Sequence, residues 1–451
     1  MDTMETIEVA SGLSIEVKML VAVCVVLATM LVLTMVSFPS RKAARNATRD
    51  LRATRYDAHS PCAPQHALSP RRCAKRSKRE RTRDTEQNAV AQAAPKKEQK
   101  LIPTIMGMAT GNPPYRASQE QALQVAESCP ECTSIKPVLA RIYGNSRIDY
   151  RYMAVPDFTP EQRLEGDDNF FDDDLNFRMP VEKRLDKFRE VAVPLVTDVC
   201  ARALKDAGVK AEEIGKLVVV SSTGFLGPGL DCSLIKTLGL SRGVDRSLIG
   251  FMGCAAAMNG FRVANDYAAS HPGKLALMVC VEISSVHTTF DDNVNDAILH
   301  AIFADGCAAA VISGEKPVSA KAKGKFGIVD THGWLMEGTE DGITLSINEN
   351  GISCILSKYL PQYIAKNMGG YVESFLGKHS LQKSDMDFWA IHPGGRRIIE
   401  EAQNGLGLSE EQAKYSWNVL SNYGNMLSPS VMFVLELILN DHKKALAKGE
   451  R

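Results

Sequence analysis

Beyond residue 100 the apolar positions of this chain follow two rhythms. Continuous apolar runs rich in strand-forming residues, Leu217-Val-Val-Val220, Leu275-Ala-Leu-Met-Val-Cys-Val281 and Cys307-Ala-Ala-Ala-Val-Ile312, alternate with stretches in which apolar residues recur every three or four positions, such as Val191 to Ala207 and Ala255 to Ser270. The alternation predicts an α/β fold. Runs with no polar alternation predict strands buried on both faces of their sheet. About 350 residues lie in this region, more than one core usually serves, which predicts two fused halves, 101–320 and 321–451.

The first hundred residues read differently. Met19 to Phe38 is uncharged over 20 residues, the length of a helix crossing a bilayer of about 30 Å. Residues 1–40 are therefore expected to be a membrane anchor or signal, attached to the bilayer through 19–38. Between Arg41 and Arg83 stand 14 lysines and arginines, whereas the N-terminal side carries Asp2, Glu5, Glu8 and Glu16. That asymmetry predicts a catalytic part on the cytosolic side, at the endoplasmic reticulum. The alternative is a cleaved bipartite plastid signal, since Ser37-Phe38-Pro39 resembles the Phe-bearing cleavage site of algae with complex plastids. Residues 41–100 have few apolar positions and a dense basic run from Arg71 to Arg83, which predicts a disordered linker suited to anionic lipid headgroups.

Lys and Arg together equal Asp and Glu, 53 each, so overall charge gives no sign of nucleic-acid binding. Eleven cysteines without repeated spacing point to a reducing compartment for the catalytic part. Cys129-Pro-Glu-Cys132 lacks the second ligand pair of a structural zinc site and reads as structural. Asp167 to Asp174 has no answering acidic cluster and reads as a solvated insertion, so no metal site is expected. His300 and His332 have no partner spacing and read as surface or satisfied core residues.

Three turns carry candidate chemistry. Cys254 stands in Gly253-Cys254-Ala255-Ala256-Ala257, after an apolar run and before a helical pattern, where the helix N-terminus favours a thiolate. His392 ends the run Phe388-Trp-Ala-Ile and opens a Pro393-Gly394-Gly395 turn. Asn425 lies in Asn422-Tyr423-Gly424-Asn425-Met426-Leu427-Ser428, before the apolar stretch Val431 to Leu439. Loops at strand ends are where reactive side chains collect. One Cys, one His and one Asn on such turns form a set suited to thioester chemistry.

These segments resemble the type III polyketide synthases, the chalcone synthase-like branch of the thiolase superfamily, from about Leu101 onward. Asn145-Ser146-Arg147-Ile148, Val218 to Gly224 with Pro228-Gly229, and Phe303-Ala304-Asp305-Gly306 agree in order and spacing. The resemblance implies a thiolase-like fold of duplicated α/β/α/β/α layers and a homodimer in which the loop Phe225 to Leu230 reaches toward the other subunit's cavity. It further implies that Cys254 takes an acyl group from an acyl-CoA starter. His392 would keep the thiolate ionised and, with Asn425, stabilise the enolate formed as malonyl-CoA loses carbon dioxide. Phe303 would wall the gate between CoA tunnel and reaction cavity. CoA thioesters serve as substrates and no separate cofactor is implied.

Ser222, Thr223, Gly227, His287 and Leu345 fall in the pocket-lining segments, the last three with residue types that differ from plant chalcone synthases. The segment is closer to microbial and algal members, and an aliphatic starter with a pyrone, resorcinol or phloroglucinol-type product is expected. Arg141, Arg147, Arg396 and Arg397 are candidates for the CoA phosphates. Ketoacyl synthases III also use Cys, His and Asn, but carry a His-Gln-Ala-Asn type segment where this chain has His392-Pro-Gly-Gly395. A catalytically inactive, membrane-tethered scaffold is the other alternative. It arises because relatives continue into two further strands after the Asn-bearing helix, so terminal strands of the second half are expected to be missing.

Overall fold

A computed structural model describes residues 8–9, 13–14, 20–26, 31–37, 102–161, 169–171, 177–314, 326–349 and 351–447. The basic linker expected at 41–100 and most of the acidic stretch at 167–174 lie outside the described residues. The dominant element is a mixed sheet of nine strands, ordered Phe388–Ile391, Leu20–Val26, Leu31–Ser37, Phe326–Trp334, Thr104–Gly111, Gly306–Ser313, Leu275–Glu282, Ile214–Val220 and Asp245–Ile249.

Strand side chains alternate between two cores, as a pleat requires. Leu217, Val219, Leu277, Val279, Ala309 and Val311 pack with the buried face of the helix Val181–Ala207. Their neighbours Val218, Val220, Met278, Ala308 and Ala310 pack instead with Phe261 of Ala256–Ser270 and Val431, Val434 and Leu435 of Ser430–Ala447. Phe326, Ile328 and Ala390, from the other half of the sheet, join that second core. A third core holds Trp389 and Ile391 against the helices Leu360–Gly377 and Arg396–Leu406. The layers are thus helix, sheet, helix, sheet, helix. Sequence periodicity predicted the buried sheet; the doubling of layers matches the thiolase-like expectation.

The two halves repeat one pairing pattern. Outward from Thr104–Gly111 come Gly306–Ser313 and Leu275–Glu282, each antiparallel to its predecessor, then Ile214–Val220 parallel. Outward from Phe326–Trp334 come Leu31–Ser37 and Leu20–Val26, again each antiparallel, then Phe388–Ile391 parallel. The halves meet where Phe326 and Gly327 pair with Ile105 and Thr104.

This corrects two expectations. Within the apolar run at 19–38, Leu20–Val26 and Leu31–Ser37 are strands and not parts of a membrane-spanning helix, and among the described residues no helix is long and apolar enough to cross a membrane. Its sequence reads Leu-Val-Ala-Val-Cys-Val-Val and Leu-Val-Leu-Thr-Met-Val-Ser. β-branched residues favour strands, and an apolar run without alternation fits a doubly covered strand as well as a helix. The gap expected in the second half is accordingly occupied by these two strands.

Candidate active site

The nucleophile candidate sits where a strand exits into a helix. Cys254 is the middle residue of the one-turn helix Gly253–Ala255, directly before Ala256–Ser270. The turn is tight enough to place Phe251 and Gly253 at positive φ, 53° and 52°, and the Gly253 N–H donates to Ser222 Oγ at 3.0 Å. His392 follows the strand Phe388–Ile391, and its Pro-Gly-Gly turn leads into Arg396–Leu406. Gly394 matters because a Cβ there would stand 3.2 Å from His392 Nε2.

Asn425 is held by its backbone. Its N–H donates to Ile302 O at 2.8 Å, and its carbonyl accepts from Ala304 N at 2.9 Å, which bridges the turn to Phe303. Gly424 makes the turn possible: its φ is 66°, and a Cβ would lie 2.8 Å from Arg151 Cγ. The Asn425 side chain donates from Nδ2 to Gly394 O at 3.1 Å and accepts at Oδ1 from Leu427 N at 2.9 Å. Cys254 Sγ stands 4.0 Å from that same Oδ1.

Cys254, His392 and Asn425 all line one cavity of about 720 Å³. Its walls are largely apolar, with Ile298, Ile302, Ile343 and Leu356 among them, and Arg141, Lys358, Arg396 and Arg397 add positive charge. Burial pushes the Cys254 thiol up, and it pulls the His392 imidazole down to about 3. Each ring nitrogen of His392 lacks a hydrogen-bond partner among the described residues. Burial thus disfavours the charged form of both groups, and a proton passing from one to the other would create two opposite charges in one cavity.

A second chamber of about 80 Å³ adjoins the first through shared walls formed by Phe303, Leu345, Cys354 and Leu427. Ser222, Thr223 and His287 line it. Glu282 organises this end of the site. It accepts from Ser222 N, Thr223 N, Thr223 Oγ1 and Ser428 Oγ, at 2.7 to 3.1 Å, while burial raises its carboxyl to about 7 against those bonds. His287 Nε2 meets Thr223 O at 2.7 Å, and burial lowers that imidazole to about 4.

Two sequence candidates lie elsewhere. Arg147 stacks 4.0 Å over the Trp417 ring and pairs with Glu410 at 2.6 Å, lining a separate surface groove. It stands in the loop beyond the helix Lys136–Gly144, at a positive φ of 59°, and its side chain lies outside the cavity lining, which residue spacing alone does not reveal. Gly227 stands on an exposed loop before the cis Pro228, outside both cavities of this chain. Conversely, Lys358, Cys354, Glu282, Arg151 and His300 were missed as site residues. His300 is buried, 5% exposed, and lines the second chamber. Cys129 and Cys132 lie 3.2 Å apart sulfur to sulfur, both buried and away from the cavities, and among the described residues no cluster could hold a metal.

Comparison with known proteins agrees with this geometry. The family model for the N-terminal domain of chalcone and stilbene synthases matches residues 91–317, and that for their C-terminal domain matches 328–451. The chain belongs to this family of type III polyketide synthases. Among its relatives is an alpha-pyrone synthesis polyketide synthase-like protein, Pks18 of Mycobacterium tuberculosis, 42% identical over 347 residues, covering 77% of this chain and 86% of that one. A 3,5-dihydroxyphenylacetyl-CoA synthase of Amycolatopsis orientalis is 30% identical over 66% of this chain and 77% of the relative. The crystal structure of PKS-I from the brown alga Ectocarpus siliculosus superposes with a TM-score of 0.75 at 66% identity, covering 79% of this chain and 93% of that one.

Proposed function

We propose that this protein loads an acyl-CoA starter on Cys254, extends it by decarboxylative condensation with malonyl-CoA, and cyclises the chain to a pyrone or phenolic product. The observation that carries the assignment of roles is the convergence of Cys254, His392 and Asn425 on one largely apolar cavity with four cationic side chains in its walls. In the loading step the Cys254 proton passes to His392, and the sulfur attacks the starter carbonyl as the C–S bond to CoA breaks. In the extension step the malonyl C–C bond breaks, carbon dioxide leaves, and the electron pair becomes an enolate. The His392 ring and the Asn425 amide stabilise its oxygen by hydrogen bonds, which are strong where water is excluded. The enolate carbon then attacks the Cys254 thioester and takes over the acyl group.

Arg141, Lys358, Arg396 and Arg397 are the candidates for the CoA phosphates. The substrates are themselves the CoA thioesters, and the proposed steps use no separate cofactor. A second copy of the chain is the proposed partner of the loop that carries Gly227. Phe225 is 51% exposed there and Leu248 57% exposed on the edge strand Asp245–Ile249, an apolar pair suited to a homodimer contact.

Peptide mass spectrometry tests this reading after incubation with a panel of acyl-CoAs and malonyl-CoA. An acyl adduct on the Cys254 peptide, lost in Cys254→Ala together with pyrone or resorcinol products, is expected. A folded protein that forms no adduct with any acyl-CoA would refute it.

A further inference from the structure

Cys129-Pro130-Glu131-Cys132 takes no part in the active site, yet its geometry is specific. The helix Gln119–Ser128 ends at Cys129, and the Cys132 N–H closes a four-residue turn on Cys129 O at 3.4 Å. Proline suits the second position of such a turn, because its φ is already fixed near the value required there. A turn of this kind holds its first and last Cα atoms within about 7 Å, the span that a disulfide needs. Neither cysteine is in a disulfide, and the two sulfurs stand 3.2 Å apart. Cys129 is 3% and Cys132 1% exposed, while Pro130 and Glu131 above them are exposed. The thiols therefore lie one turn beneath the surface.

The same turn is clamped to the wall of the catalytic cavity. The Cys132 S–H has two acceptors in reach, Cys129 Sγ and, at 3.6 Å, Phe290 O. Two residues beyond Phe290, Asp292 accepts from Ser134 N at 2.9 Å, Ile135 N at 3.0 Å and Thr133 Oγ1 at 3.3 Å. Residues 290–292 lead into the helix Val294–Ile302, from which Asn295, Ile298 and Ile302 line the cavity. On the other side Ile135 caps the helix Lys136–Gly144, which brings Arg141 to the same cavity. One clamp thus sets the starts of two cavity-lining helices.

We propose that Cys129 and Cys132 form a reversible thiol–disulfide site, oxidised by a small-molecule disulfide such as glutathione disulfide, and that closing it loosens the cavity wall that carries Arg141. Burial and the hydrogen bond to Cys129 hold Cys132 as a thiol, so Cys129 is the attacking sulfur. Its thiolate displaces one thiol from the small disulfide and leaves a mixed disulfide on Cys129, the Cys129 proton going to the released thiol. The Cys132 sulfur then attacks Cys129 Sγ, and the second thiol leaves with the Cys132 proton. The protein pair has lost two electrons and two protons, and the small disulfide has become two thiols. An S–S bond is about 2.0 Å long, so the sulfurs close by about 1 Å and the turn moves with them. Phe290 O also loses its S–H donor. Both changes reach Asp292 through the clamp, and giving up that hydrogen bond keeps the oxidised form easy to reduce.

The full-length protein would be equilibrated in a series of oxidised-to-reduced glutathione ratios, quenched, and read by peptide mass and by amide hydrogen exchange. The peptide holding Cys129 and Cys132 is expected to lose two hydrogens in oxidising mixtures and to regain them with dithiothreitol. Exchange in the first turn of Val294–Ile302 should quicken about fivefold on oxidation, the worth of about one hydrogen bond, and KM for malonyl-CoA should rise about threefold. The double variant Cys129→Ala with Cys132→Ser has no thiol in the turn but keeps a donor for Phe290 O, and it should hold the exchange rate and KM of the reduced wild type in every mixture. A pair that stays reduced in oxidised glutathione alone overturns the proposal. So does a disulfide that forms while exchange and KM keep their reduced values, and so does an equal response in the double variant, which would trace the effect to another cysteine. Mass and exchange read the pair directly, so a wild type without a Cys254 adduct would remove the synthase reading and leave this test decisive.

Discussion

The two chambers that meet at Phe303 are made by different means. The larger one is assembled from strand-end turns, each announced locally by glycine, proline or a helix start: Gly253-Cys254, His392-Pro-Gly-Gly395 and Gly424-Asn425. The smaller one is lined by Arg151, His287 and His300, which come from a strand, a short turn and the last turn of a helix, with no local signature. The first is chemistry placed on loops by a rigid scaffold. The second is core packing in which some polar side-chain atoms have no hydrogen-bond partner among the described residues. A motif can announce the former, while only the assembled core reveals the latter.

The largest effect that would break this contrast lies in the larger chamber. His392→Ala is expected to cut the rate of malonyl-CoA decarboxylation by about 10²–10³-fold, the usual cost of losing one oxyanion donor. Carbon dioxide release measured in the absence of starter checks it, and a variant retaining most of its rate would leave Asn425 to act alone. This drop should exceed by at least an order of magnitude any effect of His300→Gln on the same step.

A smaller effect concerns pH. Burial lowers His300 and His392 to about 3 and His287 to about 4, from an ordinary 6.5. For such groups the unfolded chain binds more protons than the folded one between those values, so stability is fully present above pH 6.5 and is lost as the pH falls toward 3. Buried Glu282 and Asp305, raised to about 7 and about 6, act in the opposite sense. His332 and His442 are lowered as well and Asp296 is raised, so the lowered histidines outnumber the raised carboxyls and unfolding takes up protons in the acidic range. Chemical-denaturation stability should therefore fall on acidification from pH 6.5 to 4.5, and His300→Gln should reduce that slope. A stability that rises on acidification in the wild type would show that the carboxyls dominate.

The smallest effect separates two arginines of neighbouring sequence position. Arg141→Ala is expected to raise KM for malonyl-CoA about three- to tenfold, as for a partly exposed phosphate contact. Arg147→Ala should leave KM within twofold, because its guanidinium is engaged by Trp417 and Glu410. Equal effects in steady-state kinetics would place the CoA path along the other groove.

What could be read in the sequence, and what could not, divides along the same line. Continuous apolar strands and amphipathic helices foretold a doubly covered sheet, and turn chemistry foretold Cys254, His392 and Asn425. The same continuous apolarity misled at Leu20–Val26 and Leu31–Ser37: a strand covered on both faces and a membrane helix present one pattern, and only pairing partners distinguish them. Arg147 was misplaced because side-chain direction in the loop after a helix depends on backbone conformation and on what stands beside it, here a positive φ and an indole ring.

The sequence by itself thus determined the class of fold, the turns that carry Cys254, His392 and Asn425, and the balance of charge, since each depends on local composition or on spacing along the chain. The tertiary structure alone decided that Arg151 and His300, 149 positions apart from backbone carbonyl to guanidinium donor, share one small chamber. It also decided that the guanidinium there keeps one unpaired nitrogen, and that two N-terminal strands stand beside Phe388–Ile391. Those outcomes depend on which distant surfaces meet once water is excluded, and pairing at a distance leaves no periodic trace in the chain.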